Sequence, residues 1–406
     1  LSGFIRLRSH YTTLGTFDGE KRQKNYIYIN PIIMNSKFTT LLFILSLSFA
    51  VCGQDLQFRT YDRLILGILK ERTASIGVGD IDNDGDMDAV AANGRHWPGQ
   101  NRIFINNGKG IFTVSRPLGE ESETSYATEL ADFDGDGDLD IAVGNDMAPN
   151  FIFINDGKGN FTRGAAFGER YAPTRNITVA DIDKDGDIDI LITNRGRENQ
   201  ICLNDGKGSF EKVLSFGTQD DSTIDVEVAD MNGDGHNDLI LANRDLQQNY
   251  IYLNNGQMDF SKRIPFGTGK DNTRSVGVAD LNKDGFLDII TANIEEPNRI
   301  YFGDASMKFI NSVEFDASKS NSYAVATGDL DLDGFDDIVI GNAGEPNVVF
   351  MNSQRATQWT RIQLSDDAFE TYDIMMVDLN GDGRLDIMES NSDELNRYYF
   401  NLKTKK

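Results

Sequence analysis

Cysteine and histidine are almost missing from this chain, with two of the first and three of the second in 406 residues. So few sulfur and imidazole ligands leave little room for zinc, haem or thiol chemistry. Basic residues are also in short supply, 39 Lys and Arg against 64 Asp and Glu, for a formal charge of −25. Recognition of phosphate needs a basic surface, so nucleic acid is excluded as a partner. Long apolar runs are absent as well. The longest, Leu41 to Val51, falls short of the ~20 residues a transmembrane helix requires. What the chain does have is 25 Phe, 13 Tyr and many Val, Ile and Leu, enough to bury a core, so the acidic composition belongs to a folded protein.

The segment "MNSKFTTLLFILSLSFAVCGQD" starts at Met34, carries one Lys, continues into the apolar run and reaches small residues near Cys52 and Gly53. That order is a secretory signal peptide over residues 34–53, and it predicts a secreted or cell-surface protein. Residues 1–33 read as upstream translated sequence outside the mature protein. Acylation of Cys52 is opposed by Val51, where Ala or Gly is expected. With Cys52 removed, Cys202 has no partner for an intrachain disulfide.

An acidic nonapeptide recurs through the rest of the chain: "DIDNDGDMD" at Asp80, "DFDGDGDLD" at Asp132, "DIDKDGDID" at Asp181, "DMNGDGHND" at Asp230, "DLNKDGFLD" at Asp280, "DLDLDGFDD" at Asp329 and "DLNGDGRLD" at Asp378. The copies start 52, 49, 49, 50, 49 and 49 positions apart. Seven units of that length fill residues 54–406 as one repeat domain. In the fifth unit, "SVGVAD", "LDIITAN", "NRIYFG" and "KFINSVEF" are short, β-branched or aromatic, and bounded by turn residues, which predicts four strands. No segment has a helical period of useful length. The expected fold is all-β, a seven-bladed β-propeller of four-stranded antiparallel blades. The last unit ends after its third strand at "NRYYFNLKTKK", while "DLQFRTYDRLILG" before the first unit resembles the fourth strand of the others. The N-terminal strand is therefore expected to close the ring.

The stretch "FGTGKDNTRSVGVADLNKDGFLDIITANIEEP" resembles the FG-GAP repeat of integrin α-chain propellers and the related VCBS-type repeats of secreted bacterial proteins. The pair "FG" stands at Phe167, Phe216 and Phe266, and "GAP" survives only as "GNDMAP" and "GNAGEP". The pattern N-x-I-[FY]-x-N-[DN]-G-x-G-x-F brings the first units nearer the VCBS-type branch. The resemblance covers residues from about 54 to the end and implies a calcium-binding propeller.

The seven loops test that implication against one another. Position 1 is always Asp (Asp80, Asp132, Asp181, Asp230, Asp280, Asp329, Asp378). Position 3 is Asp or Asn (Asp82, Asp134, Asp183, Asn232, Asn282, Asp331, Asn380). Positions 5 (Asp84, Asp136, Asp185, Asp234, Asp284, Asp333, Asp382) and 9 (Asp88, Asp140, Asp189, Asp238, Asp288, Asp337, Asp386) are always Asp, and position 6 is always Gly. Position 7 varies as Asp86, Asp138, Asp187, His236, Phe286, Phe335 and Arg384, so only its backbone carbonyl is a shared donor. Hard oxygen donors around a sharp glycine turn suit Ca²⁺, up to seven ions, better than Mg²⁺, which keeps its waters. An EF-hand would need Glu at position 12, where the first loop has Ala91, and helical flanks. The competing reading is a solvated acidic turn without an ion, which seven matched copies oppose.

The acidic loops and the "NDGKG" turns share one face, which leaves variable loops such as "GRHWPGQ" and "RGREN" on the other. Seven positions before each metal Asp lies a hydroxyl (Thr73, Ser125, Thr174, Thr223, Thr273, Ser322, Thr371), expected to bond to backbone. The next position varies, and Tyr126, Arg175, Arg274, Tyr323 and Tyr372, with Trp97 of the longer first loop, are the candidate ligand-binding residues for a sugar or an acidic group. The alternative for them is packing and surface filling. Cys202 aligns with Phe104, Phe153 and Tyr252 and is expected in the core. "NFT" at Asn160 and "NIT" at Asn176 match glycosylation acceptors. Two function classes follow. One is a non-enzymatic adhesion or recognition module for carbohydrate or protein, stabilised by calcium. The other is a propeller enzyme, a lyase or hydrolase of acidic polysaccharides, with Arg175, Arg195, Arg197, Arg274 and Tyr126 as possible contributors. The absence of a nucleophile motif counts against catalysis, and no catalytic residue is assigned. A purely structural calcium-binding shell protein is the third option.

Overall fold

The computed structural model describes residues 56–403 except residue 354. The expected upstream segment, signal peptide and Cys52 lie outside the described residues. Every regular element among the described residues is a strand.

The apolar run after each acidic loop forms the second strand of its unit, from Asp88–Asn93 in the first to the start of Asp386–Lys403 in the seventh. These runs are buried residue after residue, with no alternation. That pattern arises when a sheet is covered on both faces, so neither side chain direction meets water. Fourth strands behave oppositely: Lys212–Phe216 and Ser312–Asp316 alternate between exposed and covered positions, as expected of an outer edge.

Units two to six each build one four-stranded antiparallel sheet in sequence order. The second is Ser125–Ala131, Asp140–Asn145, Asn150–Asn155 and Phe161–Phe167. Units one and seven share a seven-stranded sheet, because Ile65–Gly79 begins beside the last unit and ends in the first. Ile65 lies opposite Arg397, and Gly79 lies opposite Asp88. Leu56–Arg59 also pairs with the C-terminal strand, Leu56 opposite Lys403 and Arg59 opposite Phe400.

The core is divided among the gaps between successive sheets. Phe133, Phe167 and Ile152 of the second unit pack with Ile190, Ile192 and Cys202 of the third. Leu64, Leu66, Ile76 and Phe104 pack with Met375, Met388 and Tyr398 of the seventh. Cys202 is fully buried, and burial pushes its thiol up to about 12, so it is the inert core residue expected. The first strands approach closely enough to demand small side chains. A Cβ on Gly77 would sit 2.4 Å from Leu130 Cδ1.

Candidate metal loops and axial mouth

Each acidic loop is tied by its own carboxylates. In the first, Asp80 accepts the N–H groups of Asp84 (3.0 Å) and Gly85 (2.9 Å), and Asp84 accepts that of Asp86 (3.0 Å). The position-6 glycines have φ from 82° at Gly383 to 101° at Gly186, beyond the left-handed range of about 50–70° open to other residues, which explains why only glycine occurs there. Position 4 is left-handed too, and Asn83, Lys184, Lys283 and Leu332 adopt it without the freedom of glycine.

This folding gathers three carboxylates with oxygens within 4.8 Å of one another in four loops: Asp80, Asp82 and Asp88; Asp132, Asp134 and Asp136; Asp181, Asp183 and Asp189; and Asp329, Asp331 and Asp333. Where position 3 is Asn, its amide instead donates to a loop carboxylate, Asn232 to Asp234 and Asn282 to Asp284 at 3.0 Å, and Asn380 to Asp386 at 3.3 Å. Burial first, then repulsion from the neighbouring aspartates, raises the pKa of Asp82, Asp134, Asp183 and Asp331. Asp82 Oδ1 and Asp181 Oδ1 are buried with no hydrogen-bond partner. Convergent carboxylates with repelling charge and orphaned oxygens fit a divalent cation, which would supply the missing partner.

Position 9 is bound more tightly into the fold than its neighbours. Asp88 is fully buried, and its carboxylate accepts the N–H of Ile81 (3.3 Å) and of Asn106 (2.7 Å), joining loop to third strand. All seven equivalents make the same pair of bonds, with Gly303 in the asparagine's place in the fifth unit. Burial pushes Asp88 up to about 7. At position 7 the side chains of Asp86, Asp138, Asp187 and His236 lie against Gly108, Gly157, Gly206 and Gly256 of the adjoining turn, each glycine with positive φ. Phe286 is 40% exposed, Phe335 is half-buried, and Arg384 donates to Leu330 O (3.2 Å) in the sixth unit.

Two sets of polar residues escape a reading of the acidic loops alone. The asparagine ending most third strands reaches into the preceding unit: Asn155 Nδ2 donates to Ile81 O (2.8 Å), Asn204 to Phe133 O (2.9 Å) and Asn106 to Leu379 O (2.8 Å). Its sequence signal was the last Asn of N-x-I-[FY]-x-N. The repeated hydroxyls correct the expectation of backbone bonding. Ser125 donates to Asn145 Oδ1 and accepts from Asn101 Nδ2, both at 2.8 Å, so it bridges two units through side chains. Thr73, Thr223, Thr273, Ser322 and Thr371 do the same. A hydroxyl both donates and accepts, whereas alanine would break both links.

The first strands start at these hydroxyls and end at the acidic loops, so seven residues at ~3.3 Å each set the two ends about 20 Å apart. At the hydroxyl end Tyr126, Arg175, Arg274, Tyr323 and Tyr372 line one cavity of about 210 Å³, together with Arg95, His96, Arg195 and Arg244. Trp97 does not join them: it is 67% exposed and absent from the cavity wall. His96, one residue earlier, faces inward and lies 2.8 Å from the Tyr126 hydroxyl. Guanidiniums lie over rings, Arg95 at 3.8 Å from the Tyr372 centroid and Arg175 at 4.7 Å from that of Tyr126. Arg175 pairs with Asp146 (2.7 Å), and Arg195 with Asp245 (2.8 Å). Arg197 is drawn to Glu169 instead (2.7 Å) and is not a wall residue. Arg195 and Arg244 directly follow the asparagine that ends their second strands, a position whose variation could have marked both. One layer deeper, Asn176 is buried and bonded to Asp225, which removes it as a glycan acceptor; Asn160 is exposed.

Fold and loops together define a repeat β-propeller with acidic loops on one face. The FG-GAP-like repeat model matches residues 80–143, 132–192, 181–241, 230–291, 280–340 and 329–388, and the chain belongs to that family. No curated protein sequence matches it. Among solved structures, BBS1N in complex with ARL6DN, soaked with lead, is similar at a TM-score of 0.58 and 11% identity, over 86% of this chain and 98% of that one. The mercury-soaked crystal of the same complex gives 0.55 and 10%, over 83% and 94%. Identity this low speaks for the fold alone.

Proposed function

We propose that the chain is a secreted, calcium-stabilised, seven-bladed propeller that recognises carbohydrate or protein through the mouth opposite its acidic loops, without catalysis. The observation that carries this reading is the division of the molecule into a face of convergent carboxylates and a mouth of arginines and tyrosines. Residues 54–406 are the mature domain and 34–53 its export signal. Support for seven blades in a closed ring comes from the seven loops, from contact between first strands of successive units including the last with the first, and from the pairing of Leu56–Arg59 with the C-terminal strand. Calcium is the cation that suits flexible oxygen-rich loops, and each occupied site adds about 1.4 kcal/mol at tenfold excess over its Kd. A protein ligand is in keeping with the BBS1N structures, which are complexes with another protein.

The test is thermal unfolding of the secreted protein with calcium and with chelator, then a glycan array on the calcium-loaded form. A rise in Tm with calcium is expected, together with saccharide or protein binding. An unchanged Tm removes calcium from the reading. The enzymatic alternative rests on one contact, Tyr126 hydroxyl to His96 Nδ1, with Arg175 over the same tyrosine ring, an acid–base group beside a positive charge. Ultraviolet-absorbing unsaturated products from an acidic polysaccharide would establish it.

A further inference from the structure

In a chain with 64 acidic and 39 basic residues, five arginines meet around one cavity. They come from four units: Arg95 from the first, Arg175 and Arg195 from the third, Arg244 from the fourth and Arg274 from the fifth. Like charges at such density are costly unless opposed. Two carboxylates pair with them. Asp146 takes Arg175, and Asp245 is shared by Arg195 (2.8 Å) and Arg244 (3.3 Å). Arg95 lies over Tyr372 (3.8 Å), and Arg274 faces Tyr323 (5.7 Å) with Asp225 as its leading opposing charge.

Carboxylates also stand below the cavity, outside its wall. Asp225 and Asp373 lie one residue deeper on the first strands, where Asp225 accepts from Asn176, Ser275 (2.8 Å) and Val276 N (3.2 Å), and Asp373 from Ile374 N (2.9 Å) and Ile76 N (3.4 Å). The cavity wall itself holds five guanidiniums and no carboxylate. Donor capacity is also left over. Arg95 Nε is buried with no hydrogen-bond partner. Burial lowers the pKa of Arg274 against the opposing pull of the Asp225 carboxylate, and an anion at the axis would add to that pull.

We infer that the axial mouth binds the anionic group of an acidic saccharide, a uronate carboxylate or a sulfate ester, through Arg95, Arg244 and Arg274. This rests on the recognition reading above and names its ligand class. Guanidiniums match the planar or tetrahedral oxygens of such groups with paired donors. The cavity, about 210 Å³, is of monosaccharide size and too small for a folded partner's surface. Tyr126, Tyr323 and Tyr372 surround the same space with phenol groups, which suits a ring carrying hydroxyls on every side.

The experiment is titration calorimetry of the calcium-loaded full protein with four probes: oligogalacturonate, a sulfated oligosaccharide, a neutral cello-oligosaccharide and a poly-glutamate peptide. Arg95→Gln and Arg244→Gln, at the rim, are compared with wild type after matched melting curves show that both fold; Arg274→Gln is the deeper third variant. Binding of one or both acidic saccharides is expected, the pair separating carboxylate from sulfate, with affinity falling about tenfold or more in each variant. Equal binding of the neutral saccharide overturns the inference and leaves the recognition reading intact. So does acidic-saccharide binding that both rim variants retain in full. Binding of poly-glutamate alone overturns it in favour of an acidic protein partner. Silence from all four probes overturns it as well, and the array then decides the broader reading.

Discussion

Glu389 stands in the second strand of the last unit where the other units have Ala91, Val143, Ile192, Leu241, Thr291 and Ile340. It is buried, with Asn347 Nδ2 donating to it at 2.7 Å and Asn391 Nδ2 at 3.4 Å. Burial outweighs those bonds and raises its pKa. A raised folded-state pKa means the folded protein holds a proton that the unfolded chain has released. The associated stability is complete below the ordinary glutamate range and is lost as pH rises through the folded value. Glu389→Gln keeps the shape and an acceptor without the charge. Urea unfolding across a pH series should show wild type losing stability relative to the variant as pH rises above the acid range, and parallel curves would refute the assignment. At this scale the sequence was informative wherever a residue repeats. The recurring Asp and Asn side chains at positions 1, 3, 5 and 9 were legible as one set because seven copies vary independently around them. Glu389 was not, since a single departure within one unit has no pattern to reveal its surroundings. Trp97 misled for a related reason: a lone aromatic in a longer loop carries no information on which way that loop turns.

Between elements, the bonds that hold units together run through asparagine. Asn155 donates to Ile81 O of the first unit (2.8 Å) and to Leu139 O of its own (2.9 Å), and its Oδ1 accepts from Gly159 N (3.0 Å). Asn155→Ala removes all three and leaves buried backbone groups unpaired, at a cost of roughly 2–4 kcal/mol. The midpoint of urea unfolding should fall with the slope unchanged; a loss under about 0.5 kcal/mol would show that water replaces the amide. The strands themselves were legible as short apolar runs between turns. The contacts between units were not legible, because asparagine is equally a turn residue and only geometry separates an Asx turn from a bridge. The N-terminal strand was found because "DLQFRTYDRLILG" shares its pattern with fourth strands elsewhere, and Leu56–Arg59 indeed lies beside the last strand.

Charge is a property of the whole molecule here, and it is unevenly placed. The acidic loops gather carboxylates at one end of every first strand, four of them as triads with oxygens inside 4.8 Å, while the arginine mouth lies about 20 Å away at the other. Without a cation the loop face is self-repelling, and that repulsion is released on unfolding, so it subtracts from stability. Mobile ions weaken it. At low salt the Debye length is about 30 Å and neighbouring loops feel one another; near 1 M it is about 3 Å and even contacts within a loop are screened. Adding sodium chloride should therefore raise the Tm of the chelated protein steeply. Calcium bound within the loops neutralises the same carboxylates locally, so the calcium-loaded protein should respond to salt only weakly. Melting curves over a salt series, with calcium and with chelator, separate the two forms. Equal slopes would mean that the loops carry no ion whose charge matters, and that their aspartates serve only as turn-forming acceptors for backbone N–H groups.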